Sequence, residues 1–309
     1  MIPLEQTRNA KKVSYELFFG ILLMVGFVIP ATAVDSAVQG ETIFRAAGCG
    51  SCHTQEGGSF LVGGRALESP FGVFYAPNIT PHPIDGIGDW SLKKFRRALR
   101  EGIAPDGRVY YPSFPYTAYT KMREEDIQDL KTYLDAVPPV AQANRAHELV
   151  WYVRFGAALA TWRQLYFKPG VFQVDPDLSQ QWNRGAYLVK ALAHCGECHT
   201  PRDALGGLQI RRGLSGAATG PDGDPVPNIT PDEETGIGRW RSEELVNYLG
   251  TGRTPDGEMA EGAMAEVIDS GLQYLPKADL EAIADYIMAL PPVRHRVSDP
   301  SPNEGEPGN

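Results

Sequence analysis

The sequence predicts an all-α chain in which one small helical domain occurs twice, the copies lying in tandem and joined by a helical linker. Three observations carry this prediction. A Cys-x-x-Cys-His motif stands at 49–53 and again at 195–199. Loop residues recur at a constant spacing, for Asn78 and Asn228, Trp90 and Trp240, and Pro105 and Pro255 are each 150 positions apart. Each copy closes with an amphipathic run stopped by paired prolines, Pro138-Pro139 and Pro291-Pro292. This is duplication of a whole domain, not a solenoid.

The chain has 309 residues, 42% hydrophobic and 22% charged, a globular composition long enough for about two domains. Its formal charge of −9 argues against nucleic acid as a partner. All four cysteines belong to the two motifs, so none remains for a disulfide. Cys-x-x-Cys-His is the attachment signature of c-type haem: two thiols add across the vinyl groups and the adjacent histidine ligates iron. A bare Cys-x-x-Cys also suits thioredoxin-like redox pairs and zinc sites. The direct histidine and the repetition favour two covalent haems, held by Cys49, Cys52, Cys195 and Cys198, with His53 and His199 on the irons.

Residues 1–34 carry Arg8, Lys11 and Lys12 ahead of an apolar run, Leu17 to Pro30, and then Ala31-Thr32-Ala33. The run is shorter than the ~20 residues that span a bilayer, and the small residues suit signal peptidase. Two readings stand: a signal peptide cleaved after Ala33, or a retained anchor formed by residues 13–34. Either leaves the basic residues in the cytoplasm and the rest of the chain in the periplasm.

The first domain is expected over 36–140. A short helix, Gly40 to Ala47, delivers Cys49 and His53. Ser91 is a candidate N-cap for a helix with Leu92, Phe95 and Leu99 on one face. The last helix, about Arg123 to Ala136, presents Ile127, Leu130, Tyr133 and Leu134. The linker, 141–182, reads as helical from His147 to Phe167 and is rich in aromatic side chains. It suits packing between the domains, a partner-subunit face or the membrane surface. The second domain, 183–293, repeats the plan, and residues 294–309 are Pro-, Gly- and Glu-rich, as a disordered tail is.

A haem-ligating histidine in such a domain commonly takes methionine opposite it. Met264, in the loop expected before the last helix, is the candidate for the second iron, with Met259 as competitor. The register that reaches Met264 places Phe114 at the same position of the first domain, and phenylalanine has no lone pair. The first iron is therefore expected to be open or water-bound, or to take Met122, His82, Tyr110, Tyr111, Tyr116 or Lys121. His147, His194 and His295 follow no repeat and read as surface or structural residues.

Tyr-Ala-Pro-Asn-Ile-Thr-Pro at 75–81, Gly-Ile-Gly-x-Trp at 86–90 and 236–240, Pro-Asp-Gly at 105–107 and 255–257, and Tyr-Pro-x-x-Pro-Tyr at 111–116 are similar to motifs of a known group. They resemble the multihaem cytochrome c subunits of bacterial membrane-bound alcohol, aldehyde and gluconate dehydrogenases. The resemblance covers about 36–140 and 182–293. It implies class I-type cytochrome c domains, His53, His199 and Met264 on iron, and electron transfer from a periplasmic or membrane-bound dehydrogenase to a quinone, a cytochrome or a terminal oxidase. The chain departs from the group in having two haem motifs where three are typical, and in Phe114 where many relatives have Met. The rival reading is a haem enzyme, peroxidase-like or oxidising small sulfur compounds, that uses an open first iron.

Overall fold

The structure, a computed structural model, describes residues 31–220 and 223–297, with side chains from 35 onward. In the first repeat, α1 (Ala31–Ala46) leads into a short helix over the first motif, α2 (Cys49–His53). Strands β1 (Ala66–Leu67) and β2 (Gly72–Tyr75) follow, then α3 (Leu92–Glu101), α4 (Tyr116–Tyr119) and α5 (Glu124–Asp135). The linker holds β3 (Glu148–Leu149) and α6 (Gly156–Tyr166). The second repeat contains α7 (Gln180–Tyr187), which runs on as a π turn, then α8 (Gly196–His199), α9 (Ser242–Thr251), α10 (Gly262–Ser270) and α11 (Lys277–Met288).

The all-α class stands, with one small antiparallel sheet, β1-β2-β3, added to the first repeat. Gly72-Val73-Phe74-Tyr75 is an apolar, aromatic run preceded by Pro and Gly punctuation, a strand signal overlooked in the sequence. The same sheet corrects the linker. Glu148 and Leu149 pair with Val73 and Gly72, so the expected helix from His147 is broken and α6 begins only at Gly156. One side of α6 meets the rest of the molecule, with Trp162 Nε1 donating to Leu205 O at 3.0 Å and the Tyr166 hydroxyl to Asp203 at 2.8 Å. Trp151, Tyr152, Phe155 and Leu165 are exposed.

The expected helices form for the expected reasons. Ser91 Oγ accepts from Lys94 N at the start of α3, and Phe95 and Leu99 are buried. Helix α5 buries Ile127, Leu130 and Leu134. The first and last helices of each repeat cross, α1 on α5 and α7 on α11. A glycine stands at each crossing. A Cβ on Gly40 would lie 2.1 Å from Asp129 O and one on Gly185 1.9 Å from Ala282 O, so only glycine lets the backbones approach so closely. Helix α1 starts well before Gly40 and reaches Ser36, whose hydroxyl donates to Asp129 of α5.

Buried side chains of both repeats join in one continuous core. Tyr187 of α7 is fully buried; its hydroxyl donates to Asp126 and accepts from Arg123 N at 3.1 Å, both in the first repeat. The tail is held at its start, since His295 Nδ1 lies 2.8 Å from Ser215 O and His295 N donates to Thr235 Oγ1. The rest of the expected disordered tail, 298–309, lies outside the described residues. Of the export or anchor segment, only the last four residues are described, as the start of α1; the basic stretch and the apolar run lie outside the described residues. No helix among the described residues is long and apolar enough to cross a membrane.

Candidate haem-attachment sites

In each repeat the first helix delivers both motif cysteines and the histidine onto one short turn. The residue before the first cysteine takes a left-handed backbone: Gly48 at φ 61° and His194 at φ 38°. Burial pushes the thiols of Cys49 and Cys195 up to about 12 and that of Cys198 to about 11, and it raises Cys52 as well. A thioredoxin-like pair works through a lowered thiol pKa, and the shifts here run the other way. Among the described residues no three His, Cys, Asp or Glu side chains are grouped so as to hold a metal ion.

The histidines are oriented alike. His53 Nδ1 is 2.7 Å from Pro77 O, and His199 Nδ1 is 2.8 Å from Pro227 O. A carbonyl can only accept, so Nδ1 carries the proton and Nε2 keeps its lone pair. Burial lowers the pKa of both rings, partly opposed by the carbonyl, and favours neutral imidazole. A neutral ring held through Nδ1–H with Nε2 free is what a histidine ligand requires.

The proline carbonyls are themselves fixed. Asn78 is buried; its Oδ1 accepts from Thr80 N at 2.9 Å and its Nδ2 donates to Val140 O at 2.9 Å. Asn228 repeats this with Thr230 N at 2.9 Å and Val293 O at 2.7 Å. Asn-Ile-Thr thus ties the loop carrying the proline carbonyl to the chain just beyond the paired prolines. A second loop closes over each histidine backbone, with Gly63 N donating to His53 O and Gly216 N to His199 O. Here Leu61 and Leu214 adopt φ 61° and 63°, a strained setting for a residue with a side chain. Their carbonyls accept from Ile79 N and Ile229 N. A Cβ on Gly63 would lie 2.4 Å from Pro77 C, which is why glycine stands there. These supports were missed in the sequence, although Leu-x-Gly follows each motif, at 61–63 and 214–216.

The candidates for the sixth position fare differently. Met264 lies in the first turn of α10, not in a loop, and is half-buried against the core. The expected loop is helical because Glu261 ends an extended segment and Gly262 through Ser270 then wind without interruption. Met259 is exposed. Phe114 is half-buried, its ring 5.5 Å from Tyr110 and 5.7 Å from Tyr119. Met122 is fully buried just before α5, as Leu275 is before α11, so its side chain fills a core position in both repeats. His82 caps its own turn: Asp85 N donates to Nδ1 at 3.0 Å, just as Thr235 N donates to Asp232 Oδ1. Lys121 Nζ donates to Thr117 O, Tyr111 donates to Val153 O, and Tyr116 is buried against Phe167. Tyr110 is half-buried, and burial raises its hydroxyl to about 12.

The three unassigned histidines have structural partners. His147 accepts from Tyr75 N, His194 packs its ring 5.4 Å from that of Tyr119, and His295 meets Ser215 O. The His194 contact ties Tyr119, whose hydroxyl donates to Ala47 O beside the first motif, to the residue preceding Cys195.

The cytochrome c family model matches residues 37–138. The chain is 40% identical over 268 residues to a dihaem cytochrome c-type protein of Cereibacter sphaeroides, covering 85% of this chain and 88% of that one. It is 42% identical over 268 residues to the fructose dehydrogenase cytochrome subunit of Gluconobacter japonicus, covering 85% of this chain and 54% of the relative. The gluconate 2-dehydrogenase cytochrome c subunit of Pantoea cypripedii is 38% identical over 272 residues, with 84% and 60% covered. The chain therefore spans little more than half the length of these dehydrogenase subunits.

Proposed function

Because the chain belongs to the cytochrome c family, we propose that it is a periplasmic dihaem electron-transfer protein, made of two tandem cytochrome c domains. Haem is attached at Cys49 and Cys52 and at Cys195 and Cys198, with His53 and His199 as iron ligands. The bound haem supplies one-electron chemistry; the residues of the chain hold it, orient its ligands and control its surroundings. The observation that carries the reading is the pair of histidines, each donating Nδ1–H to a proline carbonyl and keeping Nε2 free. Met264 would supply the second haem with a further iron ligand beside His199. At the first haem Phe114 stands at the matching position and offers no lone pair, so that residue would leave the iron open or to water.

The electron donor is a periplasmic or membrane-bound dehydrogenase, and the acceptor is a quinone, a cytochrome or a terminal oxidase. Relatives named as cytochrome subunits of fructose and gluconate dehydrogenases support the donor class. Residues 13–34 either leave with a signal peptide or tether the protein to the inner membrane. Substrate oxidation belongs to the partner.

Denaturing mass spectrometry tests the cofactor. The expected mass is the peptide plus two haems, an addition of about 1.2 kDa at one haem per motif. Haem that extracts into acidified organic solvent, or zinc in its place, overturns the proposal. Stopped-flow mixing with a reduced flavin-, quinone- or molybdenum-dependent dehydrogenase should then reduce both haems; no reduction by any of these classes removes the donor assignment.

A further inference from the structure

The two attachment motifs do not stand apart. Helix α10, which carries Met264, packs directly on α2, the helix of the first motif. The contact is anchored by Arg65. Its guanidinium forms a bidentate ion pair with Glu266, Nη2 lying 2.8 Å from Oε2, and Nη1 also donates to Ser51 O at 2.6 Å. Ser51 is the third residue of the first motif, and Glu266 stands two residues beyond Met264. One side chain of the first repeat thus grips the first attachment motif and the methionine helix of the second repeat together. The far end of α10 is held the same way: Arg45 Nη1 donates to Ser270 O at 3.2 Å, and its guanidinium lies 4.5 Å from the Tyr274 ring centroid.

The converse contact exists as well. Thr117, in the helix after Phe114, donates its hydroxyl to Glu197 at 2.7 Å. Glu197 is the third residue of the second motif, the counterpart of Ser51. Each repeat therefore braces the attachment motif of the other with the segment that carries, or by register should carry, its own sixth ligand. In a duplicated chain whose halves pack face to face, equivalent surfaces meet reciprocally.

We propose that Arg65, through Glu266, is a positioning residue for Met264, so that a residue of the first repeat sets the ligation and potential of the second haem. The inference rests on Met264 being the ligand of the second haem. A helix carrying a weak thioether ligand must be held in place, and a half-buried, bidentate, charge-assisted pair at its first turns does so. The consequence is that the two haems respond to each other's surroundings.

The test uses the full haem-loaded protein and the variants Arg65→Gln, Glu266→Gln and the charge-swapped double variant Arg65→Glu/Glu266→Arg. Arg184→Gln is the control, because it breaks a comparably half-buried bidentate pair, Arg184–Asp279, within the second repeat. Circular dichroism and denaturing mass spectrometry verify folding and two attached haems. Three signals are then followed: the weak far-red iron–methionine band of the oxidised protein, the haem fraction that binds carbon monoxide rapidly, and the midpoint potential of each haem. Either single variant should weaken the far-red band, lower the potential of the second haem and speed its carbon monoxide binding by about fivefold or more. The double variant should recover part of each, and Arg184→Gln should change none. An unchanged band and potential in both single variants overturns the positioning role while leaving the ligand assignment intact. So does an equal change in Arg184→Gln, which would mark a general loss of stability. A wild type without the far-red band instead overturns Met264 as ligand, and this inference with it.

Discussion

Replacing Asn228 by Asp tests the idea that this side chain holds the histidine-orienting loop. Asn228 is only 2% exposed. Its Nδ2 donates to Val293 O at 2.7 Å and to Thr235 Oγ1 at 3.1 Å. Aspartate keeps the shape and the acceptor role toward Thr230 N and Oγ1, and loses both donors. Thr235 cannot compensate, because its hydroxyl hydrogen already goes to Asp232 at 2.7 Å. Two lost hydrogen bonds cost about 1 kcal/mol each, and a buried carboxylate facing the Val293 carbonyl adds about 1 to 3 kcal/mol, for a total of about 3 to 5 kcal/mol. The sign with pH follows. The introduced carboxyl is favoured neutral in the fold, since its protonated form can donate to Val293 O, so its folded pKa is raised. The deficit should therefore shrink below the usual carboxylate pKa of about 4 and be complete at neutral pH. Urea unfolding at both pH values, read by circular dichroism and by haem absorbance, measures it. A deficit below about 1 kcal/mol at neutral pH, or one that does not shrink on acidification, refutes the reasoning.

Three further outcomes are expected. Gly185→Ala places a methyl group 1.9 Å from Ala282 O and should separate α7 from α11 at a cost of about 3 kcal/mol or more, read by thermal unfolding. Phe114→Met should turn the first haem from rapid carbon monoxide binding to low-spin His/Met absorption, whereas Met122→Leu should leave both spectra as they were; the opposite pair of results would make Met122 the ligand. Burial lowers the pKa of His194, whose ring faces Tyr119, and this outweighs the opposing pull of Glu197 and of the backbone at Ala193 and His194. Its neutral form thus supports the fold above the unfolded value of about 6.5, and that support is lost as pH falls through the lower folded value. Denaturation midpoints should drop over that window, and less steeply in His194→Asn, a residue that tolerates the φ of 38°.

Much of the site was legible because its chemistry is local. Cys-x-x-Cys-His is contained in five consecutive residues, and the amphipathic faces of α3 and α5 follow from helical periodicity alone. Constant offsets between Asn78 and Asn228 and between Trp90 and Trp240 exposed the duplication without any knowledge of contacts. The same reasoning misplaced the start of the linker helix, since pairing of Glu148 and Leu149 with β2 overrode a helical composition. It also left Asn-Ile-Thr-Pro as a motif without a cause.

What only the tertiary structure decided are the features whose partners lie far apart in the chain. The tautomer of His199 depends on a carbonyl 28 positions away. Leu61 and Leu214 carry left-handed backbones that no local propensity favours, because their loops must close over the histidine backbone. Gly40 is required by Asp129, and Arg65 finds Glu266 across 201 positions. A sequence determines residue types and short periodicities by itself. Hydrogen-bond partners, close backbone approaches and ion pairs between repeats exist only once packing has brought those positions together.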